Sequence, residues 1–450
     1  MKYSGVCRAT YAPTTDRMKS KIAGVFGLRL IYSALTFLTS ILLARVLGQS
    51  GFGIYTYSIV WAYLLSVPAT MGFDNFVVKQ IAVYQTQASW PLMNGLLKWA
   101  NRTVIISSIS VGFLAILVAS VLRGGAQSET FLGFCVAMLL MPALSLRNVR
   151  RGAMRGLNNI TQGLLPELLF DPLILIILTV GAYFVLGDAL TPLWVIIFYG
   201  IGSGITLLIV SRFLKQTLPN EVVEAEPAYE GRFWLSAAIP FMLLESVPII
   251  NSQVDVLMLG SFKGATAVGL YVPVNRGAQL ITFILMAVGS SLSPVIASKY
   301  ASGKTAELQK TITSSVRIVA GIAFLFAATL IVFSSFYLSL FGPEFLEGQN
   351  ALYIFCTGNF IATSMGLSYG ALNMTGHERE AATIGWGATI SNIVLNAVFI
   401  PLWGVNGAAL ATSLGSAAGA LISLITVKRA LNIDMTIVGS LTKMSAQSDS

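Results

Sequence analysis

The chain has 450 residues, of which 55% are hydrophobic and only 10% charged, whereas a soluble domain carries roughly 25% charged residues. Most of it must therefore lie in lipid, and at about 20 apolar residues per spanning helix the length accommodates twelve spans with short loops and no large soluble domain. Three scattered cysteines (Cys7, Cys135, Cys356) exclude a disulfide framework or a zinc site, the single His377 cannot build a metal cluster or a Ser/His/Asp triad alone, and no cofactor is expected.

Taken in chain order, the basic stretch from Arg17 to Lys21 runs straight into an apolar segment too long for a signal-peptide core. Apolar runs bounded by charges or turn residues predict spans at 24–47, 52–73, 103–122, 131–146, 164–187 and 190–211, then at 234–260, 269–297, 318–339, 350–374, 381–400 and 405–427. Between the second and third spans, residues 74–102 carry Trp90, Leu92, Leu96, Leu97 and Trp99 among Lys79, Lys98 and Arg102, the pattern of an amphipathic helix on the membrane surface. Residues 299–317 are its counterpart in the second half. After Pro219, residues 220–231 hold four glutamates and read as a solvated linker. The expected organisation is a tail over 1–23, an N-lobe over 24–215, the linker over 216–233, a C-lobe over 234–428 and a tail over 429–450.

Orientation follows from lysine and arginine, which accumulate on the cytoplasmic side. With the N-terminus inside, Arg29, Arg45 and Arg276 lie within spans, Arg123 and Lys263 fall on outside turns, and the remainder of the 28 lie on inside segments. Both termini are therefore predicted to be cytoplasmic. This bias, with attraction to anionic membrane lipids, accounts for the net charge of +9 without nucleic acid as a partner.

The two halves echo each other. Leu47-Gly48 with Gly53-Ile54-Tyr55 recurs as Leu259-Gly260 with Gly269-Leu270-Tyr271; Arg155-Gly156-Leu157-Asn158 recurs as Met374-Thr375-Gly376-His377; and Gly200 and Gly204 recur as Gly415 and Gly419. Order and polarity are kept, which predicts an all-α polytopic membrane protein whose twelve transmembrane helices form two six-helix lobes related by a parallel repeat.

In the residues Leu42 to Gly48 with Gly53-Ile54-Tyr55, and Gln253 to Gly260 with Val268 to Tyr271, the chain resembles the polysaccharide transporters (Wzx-type flippases) of the multidrug/oligosaccharidyl-lipid/polysaccharide exporter (MOP) superfamily. The resemblance covers about 20 to 430. It implies a V-shaped fold working by alternating access in a bacterial or archaeal inner membrane, on an undecaprenyl-pyrophosphate-linked oligosaccharide. A polysaccharide polymerase and other assembly proteins would then be partners.

Burying a charge at mid-membrane costs about 2.5 to 3.5 kcal/mol or more, so every ionisable residue inside a span needs a role or a partner. Arg29 and Arg276, each about two turns into its helix, are candidates for gripping a pyrophosphate, to which a guanidinium presents a fork of donors. Arg147, Arg150, Arg151 and Arg155 are candidates for gathering the anionic headgroup at the entrance. Glu245, mid-span, and Glu167 with Asp171, four apart on one face, are the coupling candidates. Asp255 and Arg276 lie at similar depths on consecutive helices and are expected to pair as an outer gate. Arg45, near a helix end, is expected to reach the headgroups. Two other functions stay open: a cation-coupled multidrug exporter of the same superfamily, and a membrane enzyme of polysaccharide assembly, which the short outside turns disfavour.

Overall fold

The computed structural model describes residues 15–122 and 128–437; Cys7, Arg123, Lys443 and the ends of both expected tails lie outside them. The described residues are almost wholly helical, with α1 (Thr15–Thr70), α2 (Phe73–Thr86), α3 (Trp90–Leu122), α4 (Glu129–Gly156), α5 (Ile160–Leu165), α6 (Asp171–Leu186), α7 (Pro192–Thr217) and the short α8 (Asn220–Glu224) in the first half. The second half holds α9 (Gly231–Lys263), α10 (Ala265–Ala301), α11 (Thr305–Val332), α12 (Ser334–Ser339), α13 (Gln349–Met365), α14 (Leu367–Met374) and α15 (Glu378–Leu431).

Ten segments among the described residues are long and apolar enough to cross a membrane. Two of them, Gly27–Thr70 and Glu378–Leu431, have 44 and 54 residues, about 66 and 81 Å of helix, more than twice a hydrocarbon core of about 30 Å. Each is broken by one glycine with non-helical backbone, Gly48 (φ 67°, ψ 178°) and Gly404 (φ 56°, ψ −126°). Each therefore supplies two crossings, and twelve result. Large apolar side chains such as Phe113, Leu139, Phe184 and Val332 point outward, as a lipid solvent requires.

The repeat is written in the backbone. Gly264 (φ 84°, ψ 179°) turns the chain as Gly48 does, and Gly187 (φ 53°, ψ −128°) as Gly404 does; these are conformations that only glycine adopts without strain. Ala88 pairs likewise with Gly303, and Asn158 with Gly376, all with positive φ. Each of these last turns closes the same five-residue hydrogen bond, Ser89 N to Tyr84 O like Lys304 N to Lys299 O, and Asn159 N to Met154 O like His377 N to Leu372 O. The counterpart of Gly48 is thus Gly264 rather than Gly260, because the turn glycine defines the repeat and the Leu-Gly dipeptide does not.

The same turns correct the expected surface helices. Residues 74–102 are split at Ala88: α2 ends at Thr86, and α3 carries Trp90 to Arg102 as its own first turns. The apolar residues that suggested a membrane-facing stripe face the protein, with Met93, Leu96 and Ala100 fully buried beside Phe73, Phe76 and Val77. Residues 299–317 are likewise the joined ends of α10 and α11. The linker, too, is docked. Val222 is buried, Asn94 Nδ2 donates to Ala225 O at 2.7 Å and Ala228 N to Pro91 O at 3.0 Å, while Glu221, Glu224, Glu226 and Glu230 remain exposed.

Packing shows how the halves meet. At the end marked by Gly48 and Gly264 one apolar cluster draws on both, with Leu43, Phe52 and Tyr57 beside Leu259, Val268 and Tyr271. At the opposite end, where the arginines and lysines collect, there are two separate clusters, one around Phe73, Met93 and Val149, the other around Leu292, Ile312 and Leu367. The first contains Trp234 and Ala238 of α9, so the start of that helix packs with the first half, short of the bend sites Pro240 and Pro248. A boundary at 234 therefore does not match the packing. Ile433 and Met435, assigned to the tail, are buried in the second of these clusters.

Candidate functional site

Between the halves, α1 packs against α10, and each helix carries one of the two in-span arginines expected to bind substrate. Arg276 donates from Nη1 to the backbone carbonyl of Thr36 at 3.0 Å, and its charge acts on the phenols of Tyr32, Tyr55 and Tyr337. Arg29 lies seven residues before Thr36, two turns nearer the basic end on the same face of α1, and is exposed. Neither arginine takes part in an ion pair among the described residues.

The first half holds its own polar network. Between α5 and α6 the span passes through one π-turn, Pro166–Phe170, which adds a residue to the helical turn and presents Glu167 and Asp171 to α4. There Asp171 pairs with Arg147 and accepts from Thr206 Oγ1 at 2.8 Å, while Glu167 pairs with Arg151. Arg147 is only 2% exposed and Asp171 9%. The expected headgroup entrance is corrected accordingly. Arg147 and Arg151 neutralise two of the three acids expected to couple transport, Arg150 bonds Ser211, and only Arg155 is exposed, donating to Asn75 Oδ1 at 3.2 Å. Trp61, Tyr63 and Tyr199 pack beside this network, the two phenols 2.8 Å apart.

Breaking a buried pair strands its partner at a cost of about 3 to 5 kcal/mol. Arg147→Ala and Asp171→Ala are therefore each expected to destabilise the purified protein by about that amount, and the double variant by less than the sum of the two. Thermal unfolding in detergent measures this; additive losses would show that the pair is not one unit.

In the second half Asp255, 5% exposed, sits in a cage of neutral side chains. Tyr271 Oη and Thr412 Oγ1 donate to its Oδ2 at 2.8 Å each, and Asn396 Nδ2 donates to its Oδ1 at 2.6 Å. Asn392 braces the cage, accepting from Asn396 at 2.9 Å and donating to Thr412 at 3.2 Å. Asn396 Oδ1 is buried without a donor. The cage thus turns three hydrogen-bond donors onto a buried carboxylate that has no ion-pair partner among the described residues. The expected Asp255–Arg276 pair is absent from this arrangement. Although the two depths match, Asp255 faces α15 and Arg276 faces α1.

Glu245, half-buried on α9, faces Asp74 at the start of α2, with Arg151 and Arg155 the nearest cations. Asp74 Oδ1 is buried and receives no N–H or hydroxyl donor. Arg45 does not reach for headgroups either: its Nε donates to Leu340 O at 2.7 Å and Nη2 to Ser339 O at 3.2 Å, at the end of α12. Sequence reasoning missed Asp74, Tyr271, Asn392, Asn396 and Thr412. The signal for three of them was available, since Asn392 and Asn396 are four apart on an apolar helix and Thr412 follows on the next crossing.

A sequence profile described as polysaccharide biosynthesis protein matches residues 21–300, and a second, MatE, matches 241–402. The chain belongs to the polysaccharide biosynthesis protein family. One relative is the probable low-salt glycan biosynthesis flippase Agl15 of Haloferax volcanii, 23% identical over 412 residues that cover 90% of this chain and 81% of the relative. Among solved structures, an inward-facing multidrug resistance MATE family transporter of the MOP superfamily matches with TM-score 0.70 at 14% identity, covering 90% of this chain and 94% of that one. The lipid II flippase MurJ, in an inward closed conformation, matches with TM-score 0.68 at 15% identity, covering 90% and 87%. This member of the family is thus a multi-pass membrane protein with the MOP superfamily fold.

Proposed function

We propose that this protein carries an undecaprenyl-pyrophosphate-linked oligosaccharide across the membrane by alternating access, with Arg29 and Arg276 holding the pyrophosphate between the lobes. The observation that carries this reading is the setting of Arg276, a guanidinium between α1 and α10 with a backbone carbonyl and phenols around it and no carboxylate in an ion pair with it among the described residues. A diphosphate is the ligand such a group fits, because it accepts paired, charge-assisted hydrogen bonds from the fork. Two separate clusters at the basic end, in place of one shared cluster, support an entry for the headgroup from the side predicted to be cytoplasmic, past Arg155. A relative named as a glycan biosynthesis flippase supports the same reading. Translocation of this kind breaks no bond, and a polymerase on the far side would consume what is delivered.

Coupling falls to the acids without a partner cation. Glu245 with Asp74 can exchange a proton at the seam between α2 and α9. Asp255 has no ion-pair partner among the described residues and can be neutralised by a proton or by a monovalent cation that displaces its donors.

The test is reconstitution in liposomes containing a fluorescent lipid-linked oligosaccharide, with the copies in the outer leaflet read by a membrane-impermeant quencher. The quenchable fraction should exchange at least tenfold faster than in protein-free liposomes. The MatE match over 241–402 keeps a multidrug exporter as the second reading. Gradient-driven uptake of a cationic dye without lipid exchange would overturn the flippase and establish the exporter.

A further inference from the structure

The closest approach of the two lobes at the end away from the basic residues involves no side chain. A methyl group placed on Gly53 would lie 1.8 Å from the carbonyl oxygen of Ala265 and 2.9 Å from the amide of Gly269. One placed on Gly269 would lie 1.9 Å from the carbonyl oxygen of Gln49 and 3.2 Å from the amide of Gly53. The contact is reciprocal under the repeat: Gln49 corresponds to Ala265 and Gly53 to Gly269 at the spacing that relates the turn glycines Gly48 and Gly264. Each half therefore offers the other the same patch, as in a two-fold dimer interface, and the crossing lies on the axis that relates the lobes. Gly152 approaches the carbonyl of Asp74 almost as tightly, but that contact stays inside the first half.

We propose that Gly53 and Gly269 are the outer gate of the transport cycle, closing by direct contact of two helix backbones. Both lie five residues beyond their turn glycine, about 7.5 Å into the helix, in the layer nearest the outer surface. One turn further, Tyr57 packs its ring on Gly260 and places its hydroxyl 3.2 Å from Ser261 Oγ. At the rim, Arg45 of the first lobe covers the carbonyls of Ser339 and Leu340 in the second.

The energetics suit a contact that must open on every cycle. Close helix crossings at glycine are held by dispersion and by weak Cα–H···O contacts. Parting them leaves no buried charge behind, whereas opening an ion-pair latch at this depth would separate two charges in a medium that solvates them poorly. The price is steric: closure tolerates a Cβ on neither helix, so an alanine at either position holds the outer end ajar.

The gate rests on the alternating-access reading, but it is tested by lobe separation alone. Spin labels on Thr191→Cys and Glu347→Cys, exposed positions at this end of opposite lobes, are introduced in a background lacking the native cysteines. Pulsed electron resonance in lipid nanodiscs then gives their distance distribution. Gly53→Ala and Gly269→Ala should each shift the ratio of short to long distances at least tenfold toward long, and combining them should add less than twofold. Gly181→Ala, in open space on α6, should change nothing. Unchanged distributions in both alanine variants, or independent and additive shifts, overturn the gate. Should one alanine variant not insert, the other carries the same test, because a Cβ on either helix meets its partner's backbone; unchanged distances in the one that inserts, or a wild type with no short-distance population, overturn the proposal. Absent lipid exchange with the expected distances would count against the flippase reading and leave the gate standing.

Discussion

Arg276→Ala is expected to slow exchange of the pyrophosphate-linked lipid by about 100-fold or more while the protein still inserts and unfolds as the wild type does. A guanidinium gripping two phosphate oxygens contributes two charge-assisted hydrogen bonds, each worth about 1.5 to 3 kcal/mol, and 1.4 kcal/mol corresponds to a factor of ten. Little stability should be lost, because the side chain satisfies only the Thr36 carbonyl and no partner charge is stranded when it goes. Arg276→Lys keeps the charge without the fork and should retain part of the rate. Arg29 is exposed, so its replacement by alanine should cost less. Initial exchange rates in the quenching assay decide the matter, and a wild-type rate for Arg276→Ala would remove this residue from the substrate site.

Asp255→Asn is expected to abolish the acceleration of exchange by an imposed sodium gradient while leaving exchange without a gradient in place. The amide is nearly isosteric with the carboxylate and can still accept from part of the cage, so folding should survive. Asp255→Ala is the harsher change, since it leaves the donors of Tyr271, Asn396 and Thr412 unmet at about 1 to 3 kcal/mol each. Glu245→Gln separates the two coupling candidates. If the proton route through Asp74 and Glu245 is the driving one, this variant loses the response to a pH gradient and Asp255→Asn keeps it; if the cage takes a sodium ion, Asp255→Asn alone loses the response to sodium. Full responses to both gradients in both variants would place coupling elsewhere.

The network in the first half shows why partners were harder to read than positions. Glu167 and Asp171 were recognisable as acids too deep to stand alone, and Arg147 and Arg151 as part of a basic cluster one crossing earlier. That the two sets neutralise each other depends on the π-turn at Pro166–Phe170 and on how α4 is rotated against that span. A basic cluster near a span end reads as a topology signal whether or not its side chains turn inward, so its burial left no mark in the composition. The amphipathic pattern at 74–102 misled for a related reason. A stripe of tryptophan and leucine has the same period whether its apolar face meets lipid or the neighbouring helices, and only the packing of Met93 and Leu96 against α2 distinguishes the two.

The sequence alone determined the solvent, the number of crossings and the existence of a repeat, because a bilayer of fixed thickness demands apolar runs of fixed length and the motifs at matching turns recur in the same order. It also singled out the ionisable residues that lipid cannot tolerate unaided, since depth along a helix is counted at about 1.5 Å per residue. Only the tertiary structure decided which of those residues meet. Arg276 finds a carbonyl 240 positions away, and Asp255 a hydroxyl 157 positions away, while Asp255 and Arg276, matched in depth, face different neighbours. Rotation about a helix axis relative to another helix is set by the sum of many side-chain contacts between distant segments, and no local pattern records it.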